Sequence, residues 1–224
     1  MSKTPQPIRS LTAYDLIRDL ILSGEVLPGT RLVLADLEKR LNVGRGPLRE
    51  ALMRLDRSGL VQNIPYKGVV VLPHASPQEL DAIYQTRVVL EVALAIEALR
   101  KATKKDITSL EKHLAKMRSL PPDTPFGFHE DRQFHSQLYG IAKMPRLQIL
   151  VDTMLDHIEA FLTFHSFAPS DKELFAEHHA IIIQALRDKD EGTLGDTLTA
   201  NILTGLRLIQ DAVATSRPRS RGVR

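Results

Sequence analysis

The sequence predicts a mainly α-helical protein in two parts: an N-terminal winged helix-turn-helix with a small β-hairpin wing, then an all-α antiparallel helical bundle. Three observations carry the prediction. Val43 to Leu55, VGRGPLREALMRL, opens a helix at Pro47, directly after a short helix ending at Leu41 and a tight turn holding Asn42 and Gly44. A Gly-turned hairpin with Lys67 at its tip follows. From Ser76 onward, apolar residues recur at helical spacing almost to the end of the chain.

The first helix is read over Leu11–Ser23, with apolar residues at 11, 16, 17, 20 and 21, and Gly24 ends it. LPGTRL is then a turn punctuated by Pro28-Gly29. Leu34, Leu37 and Leu41 make the inner face of the second helix. In the third, Pro47 fits the first turn, where its missing N–H costs nothing, and Leu48, Ala51, Leu52 and Leu55 face inward. Leu60–Ile64 and Val69–Leu72 read as strands around Pro65-Tyr66-Lys67-Gly68, and residues 73–77 as a linker. Six further helices are expected at 77–101, 104–119, 126–142, 145–166, 171–188 and 191–215. Ser76 with Glu79 has the form of a capping box, and Thr124-Pro125 that of an N-cap followed by a first-turn proline. Asp106 and Asp171 stand near helix starts, where negative charge is favoured. The expected domains are residues 1–74, a bundle over 75–216, and a basic, disordered tail over 217–224.

Lys and Arg total 30 against 27 Asp and Glu, a net charge of +3 that hides an uneven placement. Residues 1–74 carry 11 basic and 7 acidic side chains, residues 75–216 carry 15 and 20, and the tail has 4 basic and none acidic. That division suits a head that binds a polyanion on a body that does not. The absence of cysteine excludes disulfides, thiolate metal ligands and a Cys nucleophile. No apolar run approaches the ~18 residues of a membrane span. MSKTPQPIRS lacks the apolar core of a secretion signal, so a cytoplasmic protein without membrane contact is expected.

A recognition helix offers its first turn to base edges in the major groove. Arg45 and Arg49, one turn apart, can bond guanine in bidentate fashion or pair with phosphate. Gly44 and Gly46 allow close backbone approach and leave helix N-terminal N–H groups to a phosphate. Lys67, beside Gly68 at the wing tip, can reach the neighbouring minor groove or backbone; Arg54 and Arg57 are weaker candidates. Two arginines alone would as readily be a solvated helix face. The full order of helix, turn, Arg-flanked helix and Gly-turned hairpin decides for DNA.

IxSGxxLPGxRL, LxxxLxVxRxPLREALxRLxxxGLV and KGxxV, within residues 11–72, resemble the N-terminal domain of the GntR superfamily of bacterial transcription regulators. The resemblance implies that Arg45, Arg49 and the wing at Lys67-Gly68 contact operator DNA. The chain departs from the usual Ser-Arg-Thr-Pro pattern. Gly44 and Gly46 replace hydroxyl residues, and Ala35 stands where an Arg is often found, so operator preference and affinity are expected to differ from those of relatives.

In the second part, Asp131 and His135 are four apart on one helical face, a spacing at which a carboxylate and an imidazole can chelate one divalent cation. The same spacing equally describes a surface salt bridge. Phe175, His179, Ile182 and Leu186 form one stripe that turns His179 inward, with His178 beside it. Asn201 lies among Leu198, Ile202 and Leu206, as a bundle-specifying polar residue or a ligand. Arg87 precedes Glu91 by one turn; the pair is either a surface ion pair or a pocket feature suited to a carboxylate. His74, His113, His129, His157 and His165 have no evident partner and are expected to be structural or exposed.

DAIYQTRVVLEVALAIEAL, DRQFHSQLYGIA and EHHAIIIQAL resemble the FCD ligand-binding domain of the fatty-acid-regulator-like (FadR-like) branch of GntR proteins. The six-helix count resembles the shorter vanillate-regulator (VanR) type. The resemblance implies a metal site of one Asp and three His, matched by Asp131, His135 and His179, with Asn201 at the third His position. It also implies an Arg at the place of Arg87 lining an effector pocket. Asn binds a hard cation through its carbonyl oxygen but is a poorer zinc or nickel ligand than imidazole. The expectation is a homodimeric, non-enzymatic regulator of a pseudo-palindromic operator. It would bind a divalent metal (zinc first, with nickel or manganese as alternatives) and a small carboxylate effector in contact with Arg87 and Glu91; a dimer that binds effector without metal is the alternative, and a metal-dependent enzyme the least favoured one. Repression relieved by effector is the commoner behaviour, with activation as the alternative.

Overall fold

A computed structural model describes residues 6–73, 75–120, 128–164 and 169–215, with side chains described over 12–73, 75–120, 130–155 and 170–211 and at Ile158. The chain divides into two compact units, Met1–Ala75 with Thr153–Phe164, and Ser76–Asp152 with His165–Arg224.

The first unit opens with α1 (Gln6–Leu22), which begins before the Leu11 read from periodicity. Its buried stripe is Ala13, Tyr14, Ile17 and Ile21, whereas Leu16, counted in the apolar period, is 36% exposed. LPGTRL, read as a turn, also contains β1 (Arg31–Leu32), which pairs antiparallel with β3 through Arg31↔Val70 and Leu32↔Val69. Two residues are too few for alternation to register in a sequence.

Helix α2 (Leu34–Leu41) ends at Asn42, whose φ of 52° is a left-handed conformation that asparagine tolerates. Helix α3 (Arg45–Arg57) starts at Arg45, not Pro47, with Gly44 as its N-cap. Pro47 still falls among the first residues whose N–H groups have no partner within the helix, so the helix admits it without loss. Leu48, Ala51, Leu52 and Leu55 are buried as expected. Strands β2 (Val61–Ile64) and β3 (Gly68–Val71) form the wing, and the sheet order β1-β3-β2 makes β3 central. At the tip, the Lys67 N–H donates to the Ile64 carbonyl at 3.1 Å, Tyr66 has φ 63°, and Gly68 has φ 81°.

The remaining helices of the described residues are α4 (Pro77–Lys101), α5 (Lys104–Ser119), α6 (Phe128–Ile141), α7 (Pro145–Phe164), α8 (Pro169–Asp188) and α9 (Glu191–Thr215). Ser76 caps α4 by accepting the Glu79 N–H at 3.1 Å. A complete capping box forms at α5, where Thr103 and Asp106 exchange hydrogen bonds. Helix α4 packs on α6 and α9, α8 on α5 and α9, and α5 on α6. Leu94, Leu110, Leu138, Ile182 and Leu198 fill the core between them. Among the described residues, no helix is long and apolar enough to cross a membrane. Thr124-Pro125, His74, His165 and the tail from Arg217 lie outside the described residues, as do the side chains of His129 and His157.

Candidate DNA-reading face and candidate metal centre

In the first unit, the N-terminus of α3 carries Arg45 and Gly46, both exposed, with open space around the Cα of Gly44 and Gly46. Arg45 Nε meets Glu38 Oε2 of α2 at 2.9 Å. Arg49 lines a groove of about 380 Å³ between α3 and the wing, shared with Arg31, Val33, Met53, Asn63 and Gly68. Arg31 was not singled out from sequence. Its guanidinium lies against Gly68, where an added Cβ would come within 3.3 Å of Nε. Lys67 is exposed at the wing tip. Arg54, one of the weaker candidates, is turned inward, its guanidinium 4.4 Å from the centre of the Tyr14 ring. The exposed cations therefore stand on α3 and the wing of one unit, an arrangement able to meet a phosphate backbone and adjacent base edges.

In the second unit, α6 and α8 bring Asp131, His135 and His179 together. His135 Nε2 lies 3.2 Å from His179 Nε2. Asp131 Oδ1 lies 3.4 Å from His179 Nε2 and 3.8 Å from His135 Nε2. Ligand atoms of a tetrahedral ion with bonds of ~2.0–2.1 Å stand ~3.3 Å apart, close to these separations. His179 is fully buried and His135 nearly so, which replaces the surface salt-bridge reading with an interior cluster. Burial pushes the His179 imidazole well below its ordinary range, with the neighbouring His135 and His178 acting in the same direction. Burial raises the Asp131 carboxyl, opposed by His135 and Arg87, and its buried Oδ1 accepts no hydrogen bond. An imidazole held neutral at His179 and an orphaned carboxylate oxygen at Asp131 suit a cation.

Around this cluster stand two residues that sequence reasoning missed, Phe134 and Tyr139. The Phe134 ring lies 4.0 Å from that of His179. The Tyr139 hydroxyl stands 3.0 Å from His135 Nδ1 and donates to Glu91 Oε2. Tyr139 falls one turn after His135, so the spacing that linked Asp131 to His135, carried one turn further, would have found it. Glu91 Oε1 accepts from Arg87 Nε at 2.6 Å, with Glu91 fully buried and Arg87 nearly so; the pair is interior, not a surface ion pair. Burial acts to lower the Arg87 pKa, but Glu91 and Tyr84 outweigh it and the guanidinium stays charged. The Nε bond leaves its terminal amino groups outside that pair. Asn201 is 3% exposed and its Nδ2 has no partner. An amide turned end for end would set its carbonyl oxygen in that place. His113, expected to lack a partner, lies 3.5 Å from Glu130.

Residues 9–71 match the bacterial regulatory proteins of the gntR family, and residues 82–203 match the FCD domain. The chain is similar to the HTH-type transcriptional repressor RspR of Escherichia coli K12, at 27% identity over 220 residues, covering 95% of this chain and 91% of that one. It is similar to the HTH-type transcriptional regulator McbR of the same organism, at 25% identity over 172 residues, covering 75% and 77%. Among solved structures, E. coli McbR/YncC aligns with a TM-score of 0.70 at 21% identity, covering 95% of this chain and 100% of that one. The structure of Lar, which controls the expression of the Listeria monocytogenes agr system, aligns with a TM-score of 0.68 at 19% identity, covering 94% of this chain and 99% of that one. At those identities the structural likeness speaks for the fold.

Proposed function

This chain belongs to the GntR family of DNA-binding transcription regulators, in the branch that carries an FCD domain, and on that premise we propose that it is a cytoplasmic, homodimeric, metabolite-responsive repressor whose helical domain holds a divalent metal and a small carboxylate. The relatives are regulators, not enzymes, and no enzymatic role is assigned. The observation that carries the sensing half is the convergence of Asp131, His135 and His179 in one interior cluster with an orphaned carboxylate oxygen.

Asp131, His135 and His179 would hold the metal, with zinc first in order and nickel or manganese as alternatives. Asn201 would serve as a weak fourth ligand through its carbonyl oxygen, or hold a water or the effector. A bound cation would supply charge to attract an anionic effector, and Arg87, braced by Glu91, would offer its terminal amino groups to the carboxylate. On the DNA side, Arg45, Arg49, the backbone of Gly46 and the wing at Lys67-Gly68 would contact operator DNA, one head per half-site of a pseudo-palindrome. Effector would move the equilibrium only through its difference in affinity between DNA-competent and released arrangements. The six helices of the described residues after the wing favour the vanillate-regulator subgroup, and repression follows the likeness to RspR, a transcriptional repressor.

The test is elemental analysis of the purified full chain beside an Asp131→Ala/His135→Ala control, followed by a screen of carboxylates for release of operator DNA. Near-stoichiometric metal in the wild type, lost in the control, supports the reading. Metal content equal in both proteins would sink it. An effector that releases DNA from a metal-free wild type would establish the alternative, sensing without a cation.

A further inference from the structure

We propose that Tyr139 and Glu91 are positioning residues for the metal centre, fixing His135 in the tautomer whose Nε2 carries no proton and faces Asp131 and His179. The inference rests on the metal reading above and adds to it the device that sets one ligand before a cation arrives.

The argument is a count of protons. The Tyr139 hydroxyl has one proton to give and meets two groups, Glu91 Oε2 and His135 Nδ1. Glu91 takes the Arg87 Nε–H on its other oxygen at 2.6 Å, and a carboxylate paired with a guanidinium accepts and does not donate. The phenol proton therefore goes to Glu91, and the phenol oxygen offers His135 only a lone pair. Nδ1 must carry a proton to make that 3.0 Å contact. The tautomer able to ligate a cation through Nε2 is the one whose single N–H sits on Nδ1, the atom that the Tyr139 oxygen engages. Nε2 is also the atom 3.2 Å from His179 and 3.8 Å from Asp131.

His179 gives the contrast within the same cluster. Its Nδ1 is buried without a partner, so no hydrogen bond there selects between its tautomers. Of the two imidazoles, one is set by a relay that runs from α4 through Tyr139, and the other is left to the cation. The relay begins at Arg87, so the group proposed to receive effector also ends the chain that orients a ligand.

Tyr139→Phe keeps the ring and removes the hydroxyl, both as the acceptor facing His135 and as the donor to Glu91. Loss of such an outer hydrogen bond typically weakens metal affinity by about 10–100-fold. The experiment measures zinc affinity by chelator competition in full-length wild type and Tyr139→Phe, and records imidazole 15N–1H spectra of both proteins stripped of metal. The expected result is a His135 Nδ1–H tautomer in the wild type, mixed tautomers in the variant, and a zinc dissociation constant raised about 10–100-fold. The spectrum separates positioning from packing, because a packing role alone would not move the proton. Glu91→Gln is the second variant; its apo melting temperature is expected to fall, since Arg87 loses its counter-charge, and its zinc affinity should fall at least as far as that of Tyr139→Phe. Unchanged zinc affinity in Tyr139→Phe, or an Nε2–H tautomer in the wild type, overturns the inference and leaves the metal reading standing. A wild type that takes up no zinc overturns the metal reading and the positioning role with it.

Discussion

Glu38 holds Arg45 across the turn between α2 and α3, with Oε2 2.9 Å from Nε and both side chains largely exposed. A DNA contact by Arg45 must displace this carboxylate. Exposed pairs are worth about 0–1 kcal/mol, so the displacement costs little. Glu38→Gln is expected to raise operator affinity by up to about fivefold, since ~1 kcal/mol is the ceiling for such a pair. Fluorescence anisotropy at fixed salt reads the change. A lowered affinity would mean that Glu38 aims Arg45 and does not restrain it.

Arg49 and Lys67 are expected to fail differently. Arg49→Ala should cost about 1–3 kcal/mol and relax preference at one base pair, as a base-edge contact does. Lys67→Ala should weaken all sequences alike and lower the salt slope by about 1, as a phosphate contact does. Titrations on operator and scrambled DNA at several salt concentrations separate the two. Equal losses on both DNAs for Arg49→Ala would place that side chain on the backbone instead.

Asp131 should lower the stability of metal-free protein. Its folded carboxyl is raised by burial, so the charged form is disfavoured at neutral pH, and the penalty fades as pH falls and the group protonates. Asp131→Asn is expected to melt higher than wild type when both are stripped of metal at pH 7.5. With zinc the order should reverse, because a wild type at 100 times its dissociation constant gains about 2.7 kcal/mol by mass action. Differential scanning calorimetry checks both halves; a metal-free variant that melts lower would contradict the first.

His179 gives a pH dependence of the opposite sign. Its folded pKa lies well below the ordinary 6.5, with burial the main cause. Between that depressed value and 6.5, the unfolded chain binds a proton that the folded chain does not, so stability falls as pH falls. Metal-free protein should show a declining urea midpoint from pH 7.5 to 5.5, and His179→Gln should flatten the decline. A midpoint that rises on acidification would show that the ring accepts a proton in place.

Much of this was legible in the sequence. The ends of α4, α5 and α9 follow from capping residues and helical period, and the inward turn of His179 follows from its stripe with Ile182 and Leu186. β1 was hidden because two residues carry no period, and the start of α3 was displaced because proline marks a first turn without marking which residue of it. Asp131, His135 and His179 could be gathered only by a likeness to known domains; spacing alone reaches the first two. Tyr139 and Glu91 lie far apart in the chain, and no local pattern announces a hydrogen bond between α4 and α6.

The short strand β1 has a consequence for how the reading head assembles. Arg31 and Val70 stand on opposite sides of α2 and α3 in the chain, yet are partners in the sheet. Pairing across such a separation follows loop closure, so it comes late and rests on contacts already formed. The wing's central strand is completed only when the segment holding the recognition helix has been enclosed. On refolding of the whole chain, affinity for DNA should thus arise in one cooperative step, with no long-lived intermediate that offers the helix without its wing.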